Sequence, residues 1–470
     1  EMNYNRLTKE HKSFLKEIVG EKGFTDTPEE LEKYSHDETE DFSFLPEAVV
    51  KPSNTGEVSQ ILKYCNDHKI AVTASGARTG LSGGALPVAG GINLSMERMN
   101  RIIDIDARNL QATVEPGVIN QVFHMACKEK GLFYPPDPSS WGSSFLGGNL
   151  ALNAGGPKAV KYGVTNAYVL NLEVVLASGE VIWTGANVLK NSTGYNLTQL
   201  MVGSEGTLGI ITKAVFRLIP YPKHNLLMLI PFGAPEKACE AVSAIFQSGI
   251  TPSGMEFMER DAIDWTLRFV EDVQLPIGDD VKAHLLIEVD GNDEDILMRE
   301  CEEIATIAEA YGAGEVLFAD NQNDKDALWK LRRRVGEAVK SHSIYKEEDT
   351  VVPRAELAKL LLGVKEIGAK YGFKSVCYGH AGDGNLHVNI VKADMSDDAW
   401  QNELPKGIRE IFKLVKGLGG TISGEHGIGW VQKDYMDIVF SPAELALQRA
   451  IKNAFDPNGI LNPGKIFVDH

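Results

Sequence analysis

Residues 70–84 read IAVTASGARTGLSGG, a short run of strand-forming residues that leads directly into a glycine-rich loop. The loop is not a P-loop, because no Gly-Lys-Ser/Thr follows the glycines, and its spacing differs from the GxGxxG dinucleotide fingerprint. A strand followed by so many glycines can still turn several backbone N–H groups inward and bind anionic oxygens. A tight structural turn would leave the same pattern, so this stretch alone does not separate the two interpretations.

Two more glycine-rich segments in the same part of the chain favour a binding loop. Residues 147–156 read GGNLALNAGG, and residues 203–210 read GSEGTLGI. Residues 135–140, PPDPSS, add a rigid turn with two hydroxyl groups. Glycine lets the backbone approach a ligand closely where side chains would clash. The three loops together therefore indicate a domain that wraps an extended dinucleotide by backbone contact.

The pattern of predicted strands and helices changes near Pro220-Tyr221-Pro222. Before this point, short apolar runs alternate with turn residues, and Ser178-Gly179 between two such runs predicts a hairpin. After it, strands alternate with longer helices, which predicts a mixed or antiparallel sheet covered by helices. The segments that carry this second prediction are strands at 226–231, 283–289 and 315–318 and helices at 235–247 and 293–311. We predict an α+β chain with a first domain over residues 1–221, a second over residues 222–450 and a C-terminal segment over residues 451–470.

Composition excludes several classes of partner. The 470 residues include 47 Lys and Arg against 65 Asp and Glu, a net charge of -18. This charge argues against nucleic acid and against anionic membrane surfaces, which both require basic protein surface. No apolar run is long enough for a transmembrane helix, and residues 1–6 lack the apolar stretch of a signal peptide.

The five cysteines are scattered along the chain and form no CxxC pair: Cys65, Cys127, Cys239, Cys301 and Cys377. Such a pattern predicts reduced thiols in the cytoplasm, with no structural zinc and no iron–sulfur cluster held by this chain.

Two histidine motifs stand out. Residues 379–390 read GHAGDGNLHVNI, and residues 424–427 read GEHG. The glycines between His380 and His387 predict a turn that brings the two imidazoles together. Two histidines and a carboxylate such as Glu425 form a catalytic metal site with open positions. The alternative is a pair of buried histidines with ordinary polar partners. A set of nitrogen and oxygen ligands suits Zn²⁺ or Mn²⁺ better than Mg²⁺ or Ca²⁺.

Taken together, the glycine loops resemble the FAD-binding domain of the vanillyl-alcohol oxidase type of oxidoreductases. The two histidine motifs narrow the resemblance to the branch that contains D-lactate dehydrogenases, D-2-hydroxyglutarate dehydrogenases and the flavin subunit of glycolate oxidase. The resemblance extends from about residue 45 to the end of the chain. It implies a PCMH-type FAD-binding domain followed by an α+β cap domain with a ferredoxin-like sheet.

The resemblance also implies which residues bind FAD. Because the first loop contains neither His nor Cys, we expect the flavin to be bound non-covalently. The implied cofactor-binding residues are Ser75, Gly76, Ala77, Arg78, Thr79, Gly80, Ser82, Gly83, Pro136, Asp137, Ser139, Ser140, Ser144, Gly147, Gly148, Asn149, Asn153, Ala154, Gly155, Gly156, Gly203, Glu205, Gly206, Gly209, Ile210 and Asn462.

The implied activity is the oxidation of a D-2-hydroxy acid of the D-lactate, D-2-hydroxyglutarate or glycolate class to its 2-oxo acid. By the resemblance, His380, His387 and Glu425 hold a divalent metal, Zn or Mn, which polarises the substrate hydroxyl. His426 is then the base that takes the hydroxyl proton, because an imidazole titrates near neutral pH. The hydride passes to FAD.

The substrate carboxylate requires a cation. The resemblance assigns this role to Arg332, the first arginine of the run in WKLRRR at residues 329–334. An arginine suits it because the guanidinium pairs with a carboxylate through two hydrogen bonds. Lys346 lies near another substrate-contact position of the family, and Asn389 is implied to line the pocket. Gly336 stands where some hydroxyglutarate-type relatives carry a hydroxyl side chain, which argues against a dicarboxylate substrate without excluding it.

The electron acceptor must be a separate molecule, since the chain has no iron–sulfur motif. An electron-transferring flavoprotein, a quinone and a partner iron–sulfur subunit are the candidates, and a homodimer is one option for the assembly. Two other functions stay open at this point: a metal-dependent hydrolase that uses the histidine site without flavin, and a non-catalytic flavoprotein subunit that relays electrons.

Overall fold

The fold was analysed in a computed structural model that describes residues 3–39 and 41–468. The α-helices of these residues are α1 (Lys9–Val19), α2 (Pro28–Lys33), α3 (Thr55–Asp67), α4 (Asn120–Lys128), α5 (Leu146–Leu152), α6 (Ala159–Tyr162), α7 (Leu197–Met201), α8 (Pro235–Gln247), α9 (Arg260–Val270), α10 (Glu294–Ala310), α11 (Gln322–Arg333), α12 (Val335–His342), α13 (Leu357–Tyr371), α14 (Leu404–Gly417), α15 (Met436–Val439) and α16 (Pro442–Phe455). The strands are β1 (Phe24–Thr25), β2 (Ala48–Val50), β3 (Val72–Ser75), β4 (Ile92–Ser95), β5 (Ile102–Asp106), β6 (Gln111–Val114), β7 (Leu132–Phe133), β8 (Val169–Val175), β9 (Val181–Trp183), β10 (Ile210–Arg217), β11 (Ile219–Pro220), β12 (His224–Phe232), β13 (Gly254–Glu259), β14 (Ala283–Gly291), β15 (Leu317–Phe318), β16 (Tyr345–Val351), β17 (Lys374–His380) and β18 (Asn385–Val391). Among the described helices, none is both long and apolar enough to cross a bilayer.

The chain forms two compact units. The first comprises Glu1–Gly155, Val164–Tyr221 and Glu425–His470, and the second comprises Gly156–Gly163 and Pro222–Gly424. Residues 425–450 thus belong to the first unit, whereas the sequence placed them in the second domain. The cause is a set of hydrogen bonds that the sequence pattern does not reveal. For example, the amides of Trp430 and Val431 both donate to the carbonyl of Ser82.

The first unit contains two main sheets. One has the order β1-β2-β4-β3, with parallel pairing of β2 and β3 to β4, and the other has the antiparallel order β5-β6-β10-β8-β9. Strands β8 and β9 form the hairpin predicted at Ser178-Gly179. Helix α3 begins after Asn54, whose side chain accepts from the amide of Glu57. Its buried residues recur at helical spacing and join the apolar core beside the parallel strands.

The C-terminal segment returns to this same core. Ile460 and Leu461 are fully buried among the residues of α1, α3 and β4. The amide of Val72 donates to Ile460, and the amide of Asn462 donates to the carbonyl of Val72. The end of the chain therefore lies beside β3, the strand that leads into the first glycine-rich loop.

The second unit is built on a seven-stranded antiparallel sheet with the order β15-β12-β14-β13-β17-β18-β16. The predicted helix 235–247 coincides with α8, and the predicted strands and second helix correspond to β12, β14, β15 and α10. Helices α9, α11 and α12 pack on one face through a shared apolar cluster. Because β14 and β18 are buried along nearly their whole length, the other face is also covered. Helices α8, α10 and α13 contact these strands as well.

Candidate active site

Strand register places a group of polar side chains on one face of the second unit's sheet. Residues directly opposite each other in antiparallel strands point to the same face. One row runs from Tyr378 through His387 to Asp349, and a parallel row pairs His380 with Asn385. Along β18 the polar positions alternate with the apolar residues Leu386, Val388 and Ile390, so the polar group has a defined face. It is the face that carries α9, α11 and α12, since Tyr378 belongs to their apolar cluster.

The turn between β17 and β18 brings together the two predicted histidine ligands. The ring centroids of His380 and His387 lie 5.4 Å apart, with the planes nearly perpendicular. Gly384 makes this turn possible because its φ is +72° and a Cβ there would lie only 1.9 Å from the carbonyl oxygen of Val352. A side chain at this position would be both strained and sterically blocked. The short glycine turn predicted from the sequence is thus present.

Each of the two histidines turns its Nδ1 toward a carboxylate. Glu256 approaches His380 Nδ1 with both oxygens, at 2.7 and 2.9 Å. Glu347 Oε1 lies 3.5 Å from His387 Nδ1. A carboxylate at one ring nitrogen orients the other nitrogen for metal binding, an arrangement that is common around protein metal sites. The donor set on this face therefore fits a divalent cation, which His380 and His387 would hold.

Asp349 is a further carboxylate beside His387 that the sequence did not single out. Its Oδ1 lies 3.4 Å from His387 Nε2 and accepts a hydrogen bond of 2.8 Å from Asn385. Asp349, His387 and the carboxylates that flank the imidazoles come from three different strands. No short motif joins them, so only the sheet register could reveal the group.

Arg332 reaches this group from the last turn of α11. Its side chain is 3% exposed, and its Nε lies 3.1 Å from Oε1 of Glu256. Its Nη2 is buried and has no hydrogen-bond partner among the described residues. Leaving a buried charged donor unsatisfied is costly, so such an atom marks a place where a ligand can supply the acceptor. A carboxylate is the ligand group that suits a guanidinium best.

Tyr378 and Asn389 complete the polar face. The Tyr378 hydroxyl donates to Glu347 at 2.8 Å, and the ring lies under the Arg332 guanidinium. Burial raises the pKa of Tyr378 well above its ordinary value, so its hydroxyl stays protonated. Asn389 is fully buried, and neither of its amide atoms makes a hydrogen bond of good geometry with a described residue. Its amide is therefore a second group available to a ligand.

The structure does not bring Lys346 to this face, and we remove it from the predicted substrate-binding set. Lys346 is paired with Ile390, whereas its neighbour Glu347 is paired with Asn389. Successive residues of a strand point to opposite faces. The Lys346 ammonium lies 5.6 Å from the ring centre of Trp400, on the other side of the sheet from Asn389.

Glu425 and His426, the predicted third ligand and base, are the first residues of the chain after the second unit ends at Gly424. The Gly424 amide donates to the carbonyl of Asp349 at 3.1 Å. Within the first unit, the loop that follows is held by Glu205, whose carboxylate accepts from the amides of Ile428 and Gly429 at 3.2 and 2.9 Å.

The first glycine-rich loop follows β3 in the first unit, as predicted. Ser75 ends the strand and donates its hydroxyl to Asn93 at 2.8 Å. Ser82 is buried, and its Oγ has no hydrogen-bond partner among the described residues. Arg78 and Gly83 have φ angles of +58° and +78°, so the loop turns sharply. An unsatisfied hydroxyl in a loop of this shape fits the phosphate groups of a dinucleotide.

The other predicted cofactor residues belong to the same unit, apart from Gly156, which is the first residue of the second unit. Pro136 and Asp137 are buried, and the Asn149 side chain accepts from Asn120 at 2.9 Å. A Cβ on Gly148 would meet no atom within 4 Å. Open space at a glycine inside a folded domain is consistent with a ligand lying there, and these segments therefore fit FAD.

The third glycine loop is joined to the first through the end of the chain. Asn462 donates to the carbonyls of Gly84 and Glu205 at 2.9 and 2.7 Å. Lys465, which the sequence did not single out, donates to Leu86 and to the Asn462 side chain, both at 2.6 Å. Burial lowers the pKa of Lys465 to about 7 and raises the pKa of Glu205 to about 7.

Two family models match successive parts of the chain. Residues 221–466 match the family described as FAD linked oxidases, C-terminal domain, and residues 46–185 match an FAD binding domain. The glycolate oxidase subunit GlcD of Bacillus subtilis (strain 168) is 40% identical, covering 98% of this chain and 97% of the relative. The D-lactate dehydrogenase of Anaerostipes hadrus is 38% identical and covers 99% of both chains. The D-2-hydroxyglutarate dehydrogenase of Stutzerimonas stutzeri (strain A1501) is 36% identical over 93% of this chain and 94% of its own length.

Solved structures support the fold. A p-cresol methylhydroxylase superposes with a TM-score of 0.78 at 19% identity, covering 97% of this chain and 96% of that chain. The 4-ethylphenol oxidase from Gulosibacter chungangensis superposes with a TM-score of 0.76 at 22% identity and the same coverage. The predicted α+β architecture with a PCMH-type FAD-binding fold is thereby confirmed. The family models and the three sequence relatives confirm the predicted branch. The chain belongs to the FAD-linked oxidases, and it is an FAD-linked oxidoreductase.

Proposed function

We propose that this protein oxidises a D-2-hydroxy acid of the D-lactate, glycolate or D-2-hydroxyglutarate class to the corresponding 2-oxo acid. The names of its relatives support this class of substrate. The observation that carries the proposal is the buried Arg332, whose Nη2 has no hydrogen-bond partner within the described part of the chain. The carboxylate of a small molecule would accept a hydrogen bond from this donor. A molecule bound in this way would lie beside the polar face of the sheet.

Arg332 and Asn389 are the residues that we assign to substrate binding. The guanidinium binds the carboxylate, and the amide of Asn389, which lies on the same face as His387, can accept from or donate to the substrate oxygens. Burial of both groups excludes water and strengthens their hydrogen bonds. Gly336 contributes no side-chain hydroxyl of its own, and the Tyr378 hydroxyl lies 3.3 Å from the position that a Cβ on Gly336 would take.

We further propose that His380, His387 and Glu425 hold a divalent metal, Zn²⁺ or Mn²⁺. The two carboxylates at the Nδ1 atoms of the histidines support the assignment. Asp349 joins the candidate ligands because of its distance to His387. When bound, such an ion supplies a Lewis acid to the substrate hydroxyl.

His426 is the proposed base. It takes the proton from the C2 hydroxyl as the C2–H bond breaks, and an imidazole is suited to this step near neutral pH. The loop that carries it is flanked by glycines and is held by the contacts of Glu205 with Ile428 and Gly429. When bound, FAD supplies the acceptor for the hydride.

Reoxidation requires a separate acceptor, for which an electron-transferring flavoprotein, a quinone and an iron–sulfur subunit remain the candidates. One relative is named as a subunit of glycolate oxidase, which is consistent with a multi-subunit assembly. We keep the cytoplasmic location as a proposal, because all five cysteines are buried and free.

An anaerobic absorption experiment tests the function. The holoprotein is mixed in turn with D-lactate, glycolate and D-2-hydroxyglutarate, with L-lactate as the stereochemical control. We expect one of the first three acids to bleach the flavin band, and dialysis against EDTA to abolish the bleaching until Zn²⁺ or Mn²⁺ is restored. A flavin band that none of the acids bleaches would contradict the proposal and would favour a subunit that only relays electrons.

A further inference from the structure

Glu256 is a fully buried carboxylate that no sequence motif includes. It lies in β13, directly across from the end of β17, because Phe257 is paired with Gly379. The side chain therefore points to the same face as His380. In this position it contacts two functional groups at once, the imidazole of His380 and the guanidinium of Arg332.

The contact with Arg332 explains how a carboxylate can be buried there. An isolated charge in the protein interior is very costly unless a counter-charge compensates it. Arg332 provides this charge through its Nε, at 3.1 Å. The same ion pair fixes the guanidinium, so that its remaining edge, which includes the unsatisfied Nη2, is available for a ligand.

The contact with His380 determines which ring nitrogen is protonated. Both oxygens of Glu256 lie within 3 Å of Nδ1, and a carboxylate can only accept a hydrogen bond there. Nδ1 must therefore carry a proton, which leaves the lone pair of a neutral imidazole on Nε2. This is the tautomer and the ring orientation that a metal-binding histidine needs.

We propose that Glu256 is a shared positioning residue, which orients His380 for the metal and Arg332 for the substrate carboxylate. The inference rests on the proposed function and adds a link between its two binding sites. Because one side chain holds both groups, loss of its charge weakens metal binding and carboxylate binding together. An ion pair that only stabilised the fold would affect neither.

The second unit supplies a matched control. Glu288 is also a buried carboxylate, and it is paired with Lys158 and accepts from Ser253 at 2.7 Å. Neither of these partners is a histidine, so Glu288→Gln removes a comparable buried charge that does not contact His380 or His387 among the described residues. Comparison of Glu256→Gln with Glu288→Gln thus separates positioning from general stability.

The test measures Zn²⁺ affinity of the FAD holoprotein by competition with a chromophoric chelator. For Glu256→Gln we expect Zn²⁺ binding to weaken about 10- to 100-fold, with FAD retained, while Glu288→Gln binds Zn²⁺ like wild type. A changed visible spectrum of the Co²⁺-substituted variant should accompany the loss. At saturating Zn²⁺, the KM for the 2-hydroxy acid should still be raised in Glu256→Gln, because Arg332 has lost its anchor.

If Glu256→Gln does not fold, the double variant with Arg332→Met removes both charges and should show the same loss of Zn²⁺ affinity. Wild-type Zn²⁺ affinity in either folded variant, or an equal loss in Glu288→Gln, would overturn the positioning role. So would a wild-type protein that binds no metal. A wild-type protein that binds Zn²⁺ but whose flavin no 2-hydroxy acid reduces would instead refute the proposed function and leave the role of Glu256 at the metal intact.

Discussion

Glu205 accepts a hydrogen bond of 2.9 Å from the amide of Gly429, a residue 224 positions further along the chain. The contact joins the third glycine loop to the loop that follows Glu425 and His426. Glu205 is buried at this point, and burial raises its pKa to about 7 from an ordinary value of 4.5. Between about pH 4.5 and 7 the folded protein thus favours the protonated form of a carboxyl that is charged in the unfolded chain.

This shift predicts a pH dependence of stability. A raised pKa in the folded state contributes stability that is fully present below about pH 4.5 and is lost as the pH rises through about 7. Glu205→Gln lacks this titration. We therefore expect the stability of wild type relative to Glu205→Gln to fall as the pH is raised from 4.5 to 7. Thermal denaturation of the holoprotein across this range measures the difference. Glu180→Gln, at an exposed turn, is the control. A stability difference between wild type and Glu205→Gln that does not vary with pH would contradict the prediction.

Lys465 should be needed for FAD retention. Its ammonium holds Leu86 of the first loop and Asn462 of the C-terminal segment together while almost fully buried. Lys465→Met removes both hydrogen bonds. The Leu86 carbonyl keeps the amide of Val88 as a donor, whereas the buried Asn462 side-chain oxygen loses the donor described here, at a cost of about 1–3 kcal/mol. We expect a lower melting temperature and faster release of FAD, measured by flavin fluorescence. Lys190→Met, at an exposed lysine, should retain FAD, and equal retention by both variants would show that the buried contacts do not hold the loop.

Arg332→Met should raise the KM for the 2-hydroxy acid. The lost contact is a charge-assisted hydrogen bond, worth about 1.5–3 kcal/mol, which corresponds to about 10- to 100-fold in KM. Steady-state kinetics with an artificial electron acceptor provide the measurement. Arg334→Met is the control, because Arg334 makes an exposed ion pair with Glu337 and lies over the ring of Phe269. An unchanged KM in a folded Arg332→Met protein would remove Arg332 from the substrate-binding set.

His426→Ala should keep FAD and lose its reduction by substrate. Removal of a general base slows a reaction by about 10²- to 10⁴-fold, so stopped-flow bleaching of the flavin should slow by that factor. His224→Ala, at an exposed histidine of β12, serves as the matched control. Bleaching at the wild-type rate in His426→Ala would exclude it as the base.

The β17–β18 turn should tolerate no side chain at Gly384. Gly384→Ala adds a Cβ that would lie 1.9 Å from the Val352 carbonyl oxygen, so the turn must open and separate His380 from His387. Gly372→Ala is the matched control, because Gly372 has a similar φ of +76° but no atom within 4 Å of the added Cβ. We expect only about 1–2 kcal/mol from the φ penalty in the control, and a larger loss together with weaker Zn²⁺ binding in Gly384→Ala. Equal losses would show that steric contact at the turn is unimportant.

Local patterns in the sequence determined the parts of this protein that depend on neighbouring residues. The glycine-rich loop after β3, the β8–β9 hairpin and the extent of α8 could all be predicted, because backbone preference and hydrophobic periodicity act over a few residues. The approach of His380 to His387 could be predicted for the same reason. Only a short turn separates them, and its glycine allows a conformation that other residues cannot adopt.

Tertiary structure alone decided which charged groups are buried and what they contact. Glu256 and Lys465 look like ordinary surface residues in the sequence, yet their partners come from strands and loops that are distant along the chain. Lys346 was placed at the site by its resemblance to a substrate-contact position of the family, but the strand register turns it to the opposite face. The physical reason is common to all three residues. Burying a charge requires a partner at a particular point in space. Strand pairing and the packing of the C-terminal segment beside β3 set that point, and distance along the sequence does not.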